Sequence, residues 1–131
     1  MWKVVGLTMI AVAAVGMAGC RTGGVYDVVD AQVMGPAGAP KLSSEQVRNA
    51  ITRAGQGLGW QIKELQPFLL EGTLTLRGHM ARVNIPYSAE RYSIVYKDSE
   101  NLQYDGKSIH SNYNGWVQNL DKAIKAQLAF P

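Results

Sequence analysis

The chain has 131 residues, enough for one domain at roughly 100–200 residues each. Its 47% hydrophobic and 18% charged residues are ordinary globular composition and exclude wholesale disorder. A formal charge of +3 without a concentrated basic stripe excludes nucleic acid as a partner, and a single cysteine excludes an intramolecular disulfide framework or a cysteine-based zinc site.

Met1-Trp2-Lys3 is a short start with one positive charge. The following stretch to Ala18 is apolar or small apart from Thr8, and it ends in Met17-Ala18-Gly19-Cys20. A charged start, an apolar run and small residues before a cleavage point are the layout of a secretory signal. The last four residues resemble the lipobox of bacterial lipoproteins, usually Leu-Ala-Gly-Cys, with Met17 in place of Leu. The resemblance implies that residues 1–19 are a lipoprotein signal peptide. It also implies that Cys20 carries a diacylglyceryl group on sulfur and holds the chain on a membrane. The competing readings are a free cysteine and a transmembrane helix. The 17 uncharged residues between Lys3 and Arg21 sit at the short limit of about 17–25 for a spanning helix, and they are rich in Ala and Gly. Arg21 stands where enterobacterial lipoproteins retained at the inner membrane carry Asp. By that rule the chain belongs at the outer membrane, with its domain facing the periplasm.

Residues 20–41 read as a lipidated N-terminus and flexible tether. Gly35-Pro36-Ala37-Gly38-Ala39-Pro40 has no apolar periodicity, and a flexible chain of this length spans about 25 Å. Val25-Tyr26-Asp27-Val28-Val29 is more apolar than a linker requires. The expectation there is a partly collapsed tether, with a short edge strand or a segment that orders on a partner as alternatives.

Residues 42–131 read as the folded domain. Ser43 followed by Gln46 is a capping box, and Leu42 with Val47 forms a hydrophobic staple. Val47, Ala50, Ile51, Ala54 and Leu58 follow helical spacing until Gly55, Gly57 and Gly59 end it, which predicts a helix over 44–56. Trp60 to Leu65 reads as a strand stopped by Pro67. Leu70, Gly72, Leu74 and Leu76 alternate with polar residues, and so do Ala81, Val83, Ile85 and Tyr87. Gly78-His79 between them suits a type II′ turn, which sets Leu76 opposite Ala81, Leu74 opposite Val83, Gly72 opposite Ile85 and Leu70 opposite Tyr87. A third strand over 91–97 places Tyr92 opposite Tyr87, Ile94 opposite Ile85 and Tyr96 opposite Val83. Tyr113, Trp116, Val117, Leu120, Ala123, Ile124 and Leu128 form one stripe of a closing helix, with Asn112 as its cap. The order predicts an α+β domain. Its form is a two-layer sandwich, with an antiparallel three- to four-stranded sheet packed against an N-terminal and a C-terminal helix.

Ile94 to Leu102, Ile109 to Trp116 and Asn119-Leu120 resemble a set of small, functionally uncharacterised lipoproteins of Gram-negative bacteria. The likeness runs from about Val47 to Leu128. It implies the α-β-β-β-α order and a cell-envelope location, and it carries no activity.

The densest polar and aromatic chemistry lies between Asp98 and Trp116. The candidate binding residues are Asp98, Ser99, Asn101, Tyr104, His110, Asn112, Tyr113 and Trp116. Aromatic rings among Asn side chains suit a small platform for a glycan or peptide. The competing reading is structural: Asp98 and Ser99 end a strand, Asp105-Gly106 turns, Asn112 caps, and Tyr113 and Trp116 pack on the sheet. Ser99, His110 and Asp98 have the residue types of a hydrolytic triad but no glycine-flanked nucleophile elbow, so no catalytic residue is assigned. His79, His110, Asp98 and Glu100 lack short metal-ligand spacing, so no metal or cofactor is assigned. Arg77, Arg82, Arg91 and Lys97 on the polar sheet face suit anionic headgroups, against a solvated face partnered by Glu71. The expected function is that of a membrane-anchored periplasmic module. It binds an envelope protein, peptide or glycan, or serves a structural role. The alternative is a small hydrolase or metal-dependent enzyme using the Asp98–Trp116 segment.

Overall fold

The computed structural model describes residues 22–131. The expected signal peptide, the Met17–Cys20 motif and the acylated Cys20 lie outside the described residues. In chain order the elements are β1 (Thr22–Gly24), β2 (Val28–Gln32), α1 (Ser44–Gly57), β3 (Gln61–Gln66), β4 (Leu69–Leu76), β5 (His79–Pro86), β6 (Arg91–Glu100), β7 (Ser108–His110) and α2 (Ser111–Leu128). The class is α+β. One antiparallel sheet has five strands in the order β2-β6-β5-β4-β3, and β1 pairs with β7 in a separate two-stranded sheet.

The helix starts as its sequence dictates. Gln46 N–H donates to Ser43 Oγ at 3.1 Å, and Ser43 N–H donates to Gln46 Oε1 at 2.9 Å, closing the capping box. Leu42 and Val47 are both buried in the core. Trp60 N–H then returns to the Gly55 carbonyl at 2.9 Å, which turns the chain into β3. Gly55 is there for space: a Cβ on it would stand 2.5 Å from Ile62 Cδ1 and 2.8 Å from Ile62 Cγ1. Gly72 answers it on β4, where a Cβ would meet Trp60 at 3.2 Å and Val83 at 3.3 Å.

The β4–β5 hairpin closes one residue earlier than its sequence predicts. The loop is Arg77-Gly78, with φ of 53° and 81°, and Leu76 pairs with His79. Positive φ at both loop positions is a type I′ turn, whose twist matches that of the flanking strands. Leu74 therefore faces Ala81, Gly72 faces Val83 and Leu70 faces Ile85. Each expected partner moves by two residues. An even shift leaves every side chain on its own face, so the apolar pattern tolerates both registers and only the turn distinguishes them.

The β5–β6 pairing follows expectation at Tyr87 with Tyr92 and at Val83 with Tyr96. The strand then continues past 97: Lys97 is passed over, Arg82 pairs with Asp98, and Ala81 pairs with Ser99. That bulge brings the Arg82 guanidinium to 3.0 Å from Asp98 Oδ2.

The segment read as a tether is largely part of the fold. β2 forms the fifth strand beside β6, with Val28 opposite Ile94 and Ala31 opposite Tyr92. The excess apolarity of Val25–Val29 is explained by Val28, which is buried. Residues 25–27 and 33–43 lie outside strand and helix, and Gly38 takes a φ of 77° in the turn of the second stretch.

The buried side chains of α1, α2 and one sheet face belong to a single hydrophobic cluster. One polar tie crosses it. Tyr92 donates to Asp121 Oδ1 on α2 at 2.5 Å, and Lys125 Nζ holds the other carboxylate oxygen at 2.9 Å.

Two glycines of α1 separate propensity from packing. Glycine to alanine in a helix normally gains up to about 1 kcal/mol. Gly57→Ala, with nothing within 4 Å of the new Cβ, raises stability by a few tenths of that scale or more, whereas Gly55→Ala lowers it. Urea unfolding midpoints of the two variants, moving in opposite directions, check this.

Candidate functional site

The eight candidate residues fall into separate structural roles. Asp98 and Ser99 lie within β6, and neither ends a strand as expected. Asp98 pairs with Arg82, and Ser99 Oγ lies 2.8 Å from the Tyr96 hydroxyl. Asn101 follows the strand with a φ of 60°. Its carbonyl accepts from His79 Nδ1 at 2.7 Å, and its Nδ2 donates to the Gly78 carbonyl at 3.3 Å. These two bonds tie the Arg77-Gly78 hairpin to the end of β6.

Tyr104 stacks on Tyr96 with ring centroids 4.3 Å apart, and Tyr113 meets the same ring edge-on at 5.6 Å. Tyr104 is 43% exposed and Tyr113 is fully buried, so the three rings form a column from surface to core. Trp116 is half-buried against the core. The Asp105-Gly106 turn forms as expected. Asp105 Oδ1 accepts from the backbone of Lys107 at 2.9 Å and of Ser108 at 2.7 Å, and these bonds hold its carboxyl below the usual range.

The cap of α2 is His110 and not Asn112. His110 Nδ1 accepts from Asn112 N–H at 3.1 Å, which makes Nδ1 the unprotonated nitrogen of that ring. Asn112 itself is exposed. The sequence pointed to Asn because it is a preferred cap, but β7 runs directly into the helix and leaves His110 at the boundary. The His110 ring lies 6.4 Å from that of His79.

Ser99, His110 and Asp98 are thus each engaged with a different partner, and they do not form a nucleophile–base–orienter chain. No group of three His, Cys, Asp or Glu among the described residues is placed to hold a metal ion. Two of the four cations assigned to the polar sheet face are paired with carboxylates. Besides Arg82 with Asp98, Lys97 Nζ bonds Glu71 Oε2, which holds the Glu71 carboxyl below its usual range. The solvated-face reading named Glu71 as a partner, and Lys97 meets it. Phenol ionisation is suppressed in the core. Burial and then Asp121 raise the Tyr92 hydroxyl, and burial and then the Asp27 charge raise that of Tyr113.

A groove among the described residues lies elsewhere. It measures about 440 Å³ and is lined by Val33, Met34, Leu42, Glu90 and Arg91, among others, with none of the eight candidates.

Asn114 is the residue whose role the sequence did not announce. Its Nδ2 donates to the Gly24 carbonyl at 2.8 Å and its Oδ1 accepts from Tyr26 N–H at 2.9 Å, so one side chain clamps the strand extension beyond β1. Asp27 Oδ1 accepts from Tyr96 N–H at 3.0 Å, and Asp30 N–H donates to Ser93 Oγ at 2.9 Å. The only hint of this in the sequence was the apolar character of Val25–Val29.

The chain matches no protein-family model, no curated protein and no solved structure.

Truncating the two asparagines separates clamp from bystander. Asn114→Ala removes two hydrogen bonds at about 0.5–1.5 kcal/mol each and accelerates amide exchange at Tyr26. Asn112→Ala costs less than about 0.5 kcal/mol and leaves that amide protected. Hydrogen exchange followed by NMR distinguishes them.

The buried phenols set an alkaline limit. The unfolded chain releases these protons near the ordinary phenol value of 10.0, whereas the folded chain retains them. Their contribution is fully present below that value and is lost as pH rises above it. Tyr113→Phe makes the decline in denaturation midpoint above pH 10.0 shallower than in wild type.

Proposed function

We propose that this chain is a membrane-anchored periplasmic lipoprotein, held at the outer membrane through acylated Cys20. Its folded part acts as a small binding or structural module of the cell envelope. The observation that carries the choice of a non-catalytic module is the commitment of Ser99, His110 and Asp98 to three unrelated structural partners. A hydrolase needs a nucleophile and base in mutual reach, and here the hydroxyl faces a phenol while the imidazole caps a helix. The anchoring itself rests on the Met17-Ala18-Gly19-Cys20 motif behind an apolar stretch. A diacyl group supplies two buried chains, the number that gives stable membrane attachment.

The same reading takes the two helices as one layer over the apolar face of the sheet, a two-layer sandwich. The single core cluster shared by α1, α2 and the sheet supports that arrangement. The partners that suit such a module are envelope proteins, peptides or glycans presented near the membrane.

Fatty-acid labelling with membrane fractionation tests the anchor. The wild-type protein takes up label and is recovered with the outer membrane, and Cys20→Ala loses both. A wild-type protein without label overturns the proposal.

A further inference from the structure

We infer that the folded domain lies directly on the bilayer surface, with one defined end against the phospholipid headgroups. That end comprises Thr22, the Arg77-Gly78 turn and the end of β6 at Glu100 and Asn101. The inference rests on the anchoring proposed above and concerns what that anchoring does to the domain.

The argument begins with chain length. Thr22 is already paired with His110, and two residues earlier in the chain stands Cys20. Two trans peptide units span at most about 7.6 Å between Cα atoms. The polar headgroup layer on each side of a bilayer is itself about 5–7 Å thick. An acylated sulfur at the boundary of the hydrocarbon therefore leaves Thr22 in or just above the headgroups. The expected 25 Å tether, about 5–6 Å times the square root of its length, is not available as slack because its residues are bonded down. Val25 N–H reaches the Lys107 carbonyl at 3.3 Å, Asn114 clamps Gly24 and Tyr26, and Val33 N–H reaches the Glu90 carbonyl at 2.9 Å.

The structure also fixes which surface accompanies Thr22. His110 is its strand partner, the His79 ring is 6.4 Å from that of His110, and His79 and Gly78 both bond Asn101. This end presents Leu76 at 44% exposure, with the exposed side chain of Arg77 beside it. A long cationic side chain sits well at a membrane interface, with its apolar stem below and its polar tip in the headgroups. Glu100 lies at the same end, so the short connection sets the orientation and net charge does not. The Ser88–Arg91 loop and the groove beside it occupy the opposite end of the sheet and face the periplasm.

The experiment uses the full lipidated protein in vesicles of phosphatidylethanolamine and phosphatidylglycerol containing a nitroxide-headgroup lipid. With the Cys20 sulfur acylated, an introduced cysteine is the sole thiol. A fluorophore is placed in turn at Arg77→Cys, Glu100→Cys and Glu90→Cys, all exposed positions. Melting followed by circular dichroism verifies that each variant is folded. The expected result is quenching several-fold stronger at 77 and 100 than at 90. A Gly/Ser spacer of about 20 residues between Arg21 and Thr22, worth about 25 Å, removes the difference. Equal quenching at all three positions in vesicle-bound, acyl-labelled protein overturns the orientation and leaves the anchor standing. A difference that survives the spacer overturns the short connection as its cause. A protein that carries no acyl label and does not bind vesicles overturns the anchor itself.

Discussion

The sheet has one apolar face, and the molecule is organised around covering it. Leu70 and Leu74, then Ala81, Val83 and Ile85, then Tyr92 and Ile94 all point to the same side, and each is buried. At about 25 cal/mol per Å² of apolar surface, leaving such a face in water is far more costly than any single polar contact in the chain. Buried residues of the two helices belong to the same cluster. Tyr92 needs more than burial, because its hydroxyl goes in with the ring. Asp121 meets that hydroxyl, and Lys125 on the next turn meets Asp121. Removing one member of such a buried chain leaves another without its partner, which is why it fixes how α2 sits against β6.

The apolar face also explains why the N-terminal segment joins the fold. β6 would otherwise be an edge strand carrying Tyr92 and Ile94 beside an open row of backbone donors and acceptors. β2 supplies both the pairing and Val28. Short strands with a bulge pair weakly by themselves. Side chains therefore complete the attachment at Asn114, Asp27 and Ser93, each offering a polar atom to a backbone group that the ladder leaves free.

Much of the architecture was legible because alternation and capping are local signals. The capping box of α1, the strands from Leu70 to Tyr87 and the stripe from Tyr113 to Leu128 follow from residue spacing alone. The hairpin register did not, since Arg77-Gly78 and Gly78-His79 both offer a two-residue loop and both preserve the buried face. The bulge at Lys97 and the strand identity of Val28–Gln32 escaped for another reason. Each depends on a partner distant in sequence: Arg82 for Asp98, and β6 for β2. The candidate site was legible as a concentration of chemistry but not as a set of roles. Asp98, Ser99, Asn101 and His110 are polar because strand, turn and helix boundaries meet there, and each satisfies a neighbour that the linear sequence does not reveal.

Backbone strain gathers at the same meeting point. Arg77, Asn101 and Gln103 all have positive φ, at 53°, 60° and 57°, a conformation that costs a non-glycine residue roughly 1 kcal/mol or more. Asn tolerates it best, and Asn101 pairs with both His79 and Gly78. Such conformations persist only where surrounding bonds over-determine them. Here the bonds run from the hairpin through Asn101 to β6, while His110 joins β7 and β1 to the start of α2. Three of the strained residues and the entry of the N-terminal chain therefore share one end of the sheet. The opposite end has bonds of its own: Ser88 Oγ accepts from the Glu90 and Arg91 amides at 3.1 Å each, Phe68 takes a φ of 69°, and Leu42 beside the groove belongs to the core.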